Sequence, residues 1–161
     1  MEPYDHFATA EKFAVRLKAI GHSPETSKCF KAYGLEDLFY FDDCLSSLNG
    51  YVLIAVDGYE SDSSANRSDG LTDTRHYAYI VARNTISDRT ETIEAAFAEC
   101  RKLCKQIRNA LLQDESLLGY LNRNTQINGI GPIGDNFYGC MLSISVDEPE
   151  NYHIDNSYWE Q

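Results

Sequence analysis

The sequence predicts an α+β fold in which a small, mostly antiparallel sheet is packed by a long helix and an N-terminal helix. Three features lead to this prediction. Apolar residues recur every three or four positions over 89–112, as they do in an amphipathic helix. The segment 51–56 is a short apolar run rich in β-branched residues. The segment 138–146 alternates large apolar residues with Gly, Met and Ser, as a half-buried strand does.

The N-terminal third predicts two helices and a short strand. Apolar residues recur at helical spacing over 4–20, and Gly21 follows in the position where a helix commonly ends. The segment 27–33 predicts a short strand. Within 41–48, apolar residues at i, i+4 and i+7 precede an Asn-Gly stop signal, so we expect a short second helix there.

The middle of the chain predicts two strands joined by a long connection. The run 51–56 suits a central strand that is covered on both faces. Gly, Ser, Asp and Asn dominate 57–74, which predicts an exposed and mobile loop. Its clustered oxygen atoms could attract a calcium ion, but the spacing of an EF-hand is missing, so we favour a solvated loop. The segment 75–83 returns as an alternating strand.

The long helix presents one apolar stripe that we expect to pack on the sheet. Asp88, with Glu91 three residues later, resembles a capping box at its start. The strand 138–146 follows, and an acidic, aromatic tail closes the chain. We therefore divide the protein into one α+β domain at 1–149 and a tail at 150–161. The predicted stripe consists of Ile93, Phe97, Cys100, Cys104, Ile107 and Leu111.

Composition and charge exclude several classes of function. The 161 residues are 43% hydrophobic and carry a formal net charge of -11. Such a charge repels a phosphate backbone, so we expect no sequence-specific binding of nucleic acid. No stretch approaches the roughly 20 apolar residues that span a bilayer, and the N-terminus lacks the features of a leader, so we expect a cytoplasmic protein that does not bind membranes.

No pattern in the sequence predicts an enzyme, a cofactor or a metal. The segment 129–134 matches G-x-G-x-x-G, but a strand follows it where a nucleotide site needs a helix, so we predict a glycine-rich turn. Cys100 and Cys104 lie one helical turn apart on the apolar stripe, and five cysteines in all favour buried, reduced thiols. The four histidines are scattered, although a triad that forms only in space stays open.

The order of these elements resembles a known family. The run 51–60, the polar loop with Ser-Asp-Gly at 68–70, Arg75 with its strand, and the helix carrying Phe97 and Cys100 resemble small proteins of Bacteroidetes phages and prophages. Their arrangement is similar to that of tail-terminator or head-tail completion proteins. The resemblance extends over about 60% of the chain, and it consists of an order of elements, with no invariant chemical motif.

The resemblance implies a structural protein with no catalytic residues. Such proteins have helices on one side of a small sheet and assemble into a ring, commonly a hexamer, at the end of a tail tube. The implied partners are copies of the chain itself and tail-tube or neck proteins, first in the cytoplasm during assembly and then in a virion or tail-like particle. The acidic tail and the Asp/Ser loop depart from the family and leave a neck, tail or injection-machine role open.

A second hypothesis is a monomeric acidic adaptor or inhibitor that binds a basic protein partner. Under either hypothesis we expect contacts through the long loop, one edge of the sheet and the aromatic tail. Termini are also commonly frayed, so an inert tail is the competing interpretation. The candidate contact residues are Tyr59, Glu60, Asp62, Asp69, Arg75, Tyr158 and Trp159.

Overall fold

A computed structural model describes residues 3–68 and 70–160 of the chain. It confirms the predicted α+β class, with a five-stranded sheet, a long helix and an N-terminal helix. The elements in chain order are α1 (His6–Arg16), β1 (Cys29–Ala32), a 3₁₀ helix (Leu35–Tyr40), α2 (Asp42–Leu45), β2 (Tyr51–Ala65), β3 (Leu71–Asn84), α3 (Thr90–Gln113), a 3₁₀ helix (Glu115–Leu117), β4 (Gln126–Ile133), β5 (Phe137–Glu150) and a 3₁₀ helix (Asn156–Tyr158).

The sheet has the strand order β1-β2-β3-β5-β4. Only the pairing of β1 with β2 is parallel, and the other three pairings are antiparallel. The short strand β1 and the glycine-rich strand β4 form the two edges. Because β4 itself contains the glycines at 129–133, the prediction that they form a turn is wrong for most of the segment.

Both faces of the sheet are covered where the core lies. On one face, side chains such as Leu53, Tyr79 and Leu142 pack beneath α1 and α3. On the opposite face, Ile54 and its neighbours pack beneath the helical segment 35–45. The run 51–56 is therefore a central strand covered on both faces, as its unbroken apolar character predicts.

Helix α3 packs on the sheet through the predicted stripe from Cys100 to Leu111, and only the N-terminal end of the stripe differs, where Ala96 is buried in place of Phe97. Its buried residues are Ala96, Cys100, Cys104, Ile107 and Leu111. Phe97 is only half-buried, because it lies at the margin of the sheet against Gly129 and meets Tyr138 edge to face, with 5.9 Å between ring centres. None of the helices among the described residues is long and apolar enough to cross a bilayer.

The predicted capping box at the start of α3 is wrong. Arg89 occupies the N-cap position without a side-chain cap, and Asp88 lies outside the helix with a φ of 65°. The hydroxyl of Thr92 instead connects the start of the helix to the preceding loop. It accepts the N–H of Ile86 at 3.1 Å and donates to the carbonyl of Arg89 at 2.7 Å. Helix α1 is also shorter than predicted, and Asp5 caps it by accepting the N–H of Ala8 at 3.0 Å.

The prediction of a loop over 57–74 is wrong, because most of this segment is a β-hairpin. Strands β2 and β3 stay paired out to Ala65 and Leu71, and β5 pairs with β3 over the same length. At the tip, the side-chain Oδ1 of Asn66 accepts the N–H groups of Ser68 and Gly70, both at 2.8 Å. Polar side chains do not prevent this structure, since backbone groups form the ladder.

Candidate functional site

The candidate site is a three-stranded extension of the sheet, which we call the arm and define as residues 60–65, 71–76 and 145–150. The outer strand of the arm is the second half of β2, and its side chains from Gly58 to Ala65 are exposed. The ladder between β1 and β2 ends at Val56. Beyond that point, no strand of the described part of the chain pairs with the outer edge of β2.

A bulge marks the base of the arm. Residues 57–59 lie opposite Tyr77 alone, because the ladder resumes only at Glu60 and His76. Tyr59 adopts a φ of 55°, which is uncommon for a residue with a side chain. The buried carboxylate of Asp57 stabilises this turn by accepting the N–H of Tyr59 at 2.8 Å.

Two of the predicted contact residues, Tyr59 and Arg75, meet at this base. The guanidinium of Arg75 lies 5.8 Å from the ring centre of Tyr59 and 5.5 Å from that of Tyr77. Its Nη2 atom also lies 3.9 Å from Oδ2 of Asp57. Tyr59 stacks on Tyr33 with ring centres 6.5 Å apart, and both tyrosines are more than half exposed. The base of the arm therefore presents an aromatic and cationic surface.

Side-chain hydrogen bonds join the three strands of the arm. His76 on β3 lies 2.7 Å through Nε2 from the Asp62 carboxylate on β2, and 3.1 Å through Nδ1 from the Ser145 hydroxyl on β5. A second link runs from the hydroxyl of Thr74 to the carboxylate of Asp147 at 2.6 Å. These links fix the arm as a unit, which prepares its surface for binding.

Ser145, His76 and Asp62 form a hydrogen-bonded chain in the same order, serine to histidine to carboxylate, as the catalytic triad of a hydrolase. When the ring is neutral, Nε2 carries the proton because a carboxylate only accepts, and the Ser145 hydroxyl then donates to Nδ1. Asp62 is 81% exposed, however, and Ser145 lies inside a strand paired on both sides, with β3 and through Leu121. We assign this trio the role of a cross-strand link.

A cleft of about 450 Å³ adjoins the arm on the face of the sheet opposite α1 and α3. Its floor includes Val56, Ala78 and Met141, and its walls are Leu35 and the segment 124–126. The predicted contact residue Glu60 lies at its margin, next to His76 and Ser145. Within the ranges that the structure describes, no group of His, Cys, Asp or Glu side chains could hold a metal ion.

Charge is segregated between the arm and α3. The sequence segments 57–76 and 145–161 contain ten acidic and two basic residues, a formal net charge of -8. The segment 100–113 of α3 contains four basic residues and no acidic residue. The molecule therefore has an acidic end and a basic helix surface, although its net charge is -11.

The structure does not bring the aromatic tail against the other predicted contact residues. Because Glu150 pairs with Leu71, the tail leaves from the far end of the arm. Tyr158 and Trp159 are 85% and 67% exposed, and no hydrogen bond or ring contact joins 151–160 to the remaining described residues. The predicted contact residue Asp69 lies outside the described residues.

The sequence predicted Tyr59, Glu60, Asp62 and Arg75 for this surface but missed His76, Ser145 and Asp147. The pattern that could have identified them is a polar residue at every second position along one face of β3 and β5. This pattern becomes visible only when the register between the two strands is known. Comparisons with known proteins give no further assignment, since no family model matches the chain and no curated protein matches it. The function is therefore inferred from geometry and charge.

Proposed function

We propose that this protein is a structural, ring-forming component of a phage-type tail or neck, of the tail-terminator or completion class. It works by self-association and carries out no chemical reaction. The observation that supports the proposal is the unpaired outer edge of the arm, from Gly58 to Ala65.

An open strand edge is a template for pairing with another chain. Monomeric proteins commonly protect such edges with proline, lysine or a covering loop, and this eight-residue edge has neither proline nor lysine. It does carry Glu60 and Asp62, so two identical edges would bring like charges together. The edge is therefore suited to a different surface of the neighbour, and such a head-to-tail contact forms a ring when the rotation between neighbouring copies closes the circle.

The acidic character of the chain supports a role on a path for DNA. A ring through which DNA passes must not retain it, and carboxylates repel phosphates where Lys and Arg would bind them. The excess of 25 acidic over 14 basic residues provides this repulsion.

The charge of the arm also favours a second candidate, a monomeric acidic adaptor or inhibitor that binds a basic protein partner. The formal charge of -8 on the arm and tail segments would attract such a partner without any self-association. The two candidates differ in a measurable property, because only the first requires copies of the chain to bind one another.

Sedimentation velocity over a concentration series tests the proposal, at salt from about 0.05 to 0.5 M because screening reduces repulsion between acidic copies. We expect one closed oligomer of fixed mass. Ser64→Lys on the open edge should weaken it, because lysine on an edge opposes strand addition. Ser47→Lys adds the same charge at an exposed position outside the edge and should leave assembly unchanged. A chain that stays monomeric throughout, even with tail-tube or neck proteins added, would support the adaptor.

A further inference from the structure

We infer that the surface that receives the acidic arm is the basic C-terminal half of α3 on a second copy of this chain. This inference rests on the proposed function, since it names the surface that the charged side chains of the same arm contact, while the backbone edge of β2 stays free for pairing with a strand. It identifies the contact by its chemistry: carboxylates on both faces of the arm, with Glu60 on one face and Glu148 and Glu150 on the other, against ammonium and guanidinium groups.

The arm carries carboxylates that form no ion pair within the described part of the chain. Within the described ranges, Glu60, Glu148 and Glu150 form no ion pair, and Glu60 and Glu150 are exposed. Asp62 is joined only to His76. Carboxylates held together on a fixed arm repel one another, and a cationic surface relieves that repulsion on binding.

Helix α3 supplies such a surface. Arg101, Lys102 and Lys105 are exposed, because the sheet occupies the opposite side of the helix. Lys102 meets Glu99 at 3.7 Å, whereas Arg101 and Lys105 form no ion pair with any described residue. These side chains lie on one exposed side over a little more than one turn of a 24-residue helix, so the spacing of their backbone positions is rigid.

The arm does not reach the basic surface of its own α3. The thiol of Cys104 lies 3.5 Å from the carbonyl of Cys140, so this part of the basic stretch lies over the start of β5. Glu148 is eight residues further along this strand, a distance of about 26 Å at the rise of a strand. A contact between the arm and this basic surface therefore requires a second copy.

The charge pattern also fixes the type of contact. Arm against arm and helix against helix are repulsive, while arm against helix is attractive, so identical copies bind head to tail. Each copy then offers one free arm and one free helix surface until the ring closes.

Charge reversal tests the inference. An arm-reversed variant carries Glu60→Lys with Glu150→Lys, and a helix-reversed variant carries Arg101→Glu with Lys105→Glu. Each variant alone should assemble at least about tenfold more weakly than the natural chain, because each pair of substitutions removes most of the charge on one of the two surfaces and therefore most of their attraction. Mixed in equal amounts, the two should assemble again, since the natural arm of one variant can then meet the natural helix of the other, and the introduced lysines can meet the introduced glutamates.

The control variant carries Glu25→Lys with Glu115→Lys, two exposed acids outside the arm. It changes the net charge from -11 to -7, as the arm-reversed variant does, and should assemble at least as well as the natural chain. Circular dichroism and thermal unfolding establish that every variant is folded. Assembly of both reversed variants at natural strength would overturn the inference and leave the proposed function standing. A natural chain that never assembles would overturn both.

Discussion

Acidification should destabilise this protein through one buried histidine at the start of α1. His6 is 3% exposed and lies between the rings of Tyr77 and Tyr79, with ring centres 4.7 and 4.4 Å away. Its Nε2 donates to the carbonyl of Ala78 at 2.8 Å, and its Nδ1 accepts the hydroxyl of Tyr4 at 2.9 Å. Burial lowers the pKa of His6 from its ordinary 6.5 to about 4.

The size and direction of the effect follow from proton binding. Below pH 6.5 the unfolded chain binds a proton at His6, while the folded protein does not bind one until pH falls to about 4. Stability from this group is therefore complete above pH 6.5 and is lost progressively between pH 6.5 and 4. At about 1.4 kcal/mol per pH unit, the free energy of unfolding should fall by roughly 3 kcal/mol over this range.

Urea unfolding at pH 7, 6, 5 and 4.5 measures this loss, with His6→Gln as the test variant. Glutamine keeps a donor and an acceptor but does not titrate, so the variant should be less stable at pH 7 and approach the natural chain as pH falls. Carboxylates contribute equally to the pH dependence of both proteins, so their effect cancels in the difference between the two unfolding free energies. His153→Gln, in the exposed tail, is the matched control. A difference in unfolding free energy between natural chain and His6→Gln that is constant across pH would refute the reasoning.

Two further predictions concern α3 and the arm. Ile107→Ala should lower the free energy of unfolding by about 2 to 5 kcal/mol because this side chain is fully buried. Phe97→Ala should lower the free energy of unfolding by only about 1 to 2 kcal/mol because Phe97 is half-buried. Equal losses of unfolding free energy in the two variants, measured by urea unfolding, would contradict the placement of Phe97 at the margin of the sheet. His76→Ala should speed hydrogen exchange of the arm amides, because it removes the link to both neighbouring strands. Ser143→Ala, in the same cleft, should leave the hydrogen exchange of the arm amides unchanged. Equal exchange rates in both variants would show that the His76 link does not stabilise the arm.

The sequence alone determined the class of fold, because periodicity is a local property of the chain. The 3.6-residue period over 89–112 appears as α3, and the apolar run at 51–56 is the buried half of β2. The alternation over 138–146 lies within β5. Each element buries the face that its own residues define, so neighbouring positions suffice to predict it.

The tertiary structure alone decided the arm and its surface. The polar composition of 57–74 predicted a loop, but backbone hydrogen bonds to β3, and from β3 to β5, hold most of it as strands. His76 meets Ser145 from 69 positions away, a contact that depends on the register of two strands. The packing of α3 likewise places Ala96 between the helix and the sheet, and Phe97 at the margin of the sheet. These features arise because backbone pairing and packing join distant segments, and they leave no period in the sequence.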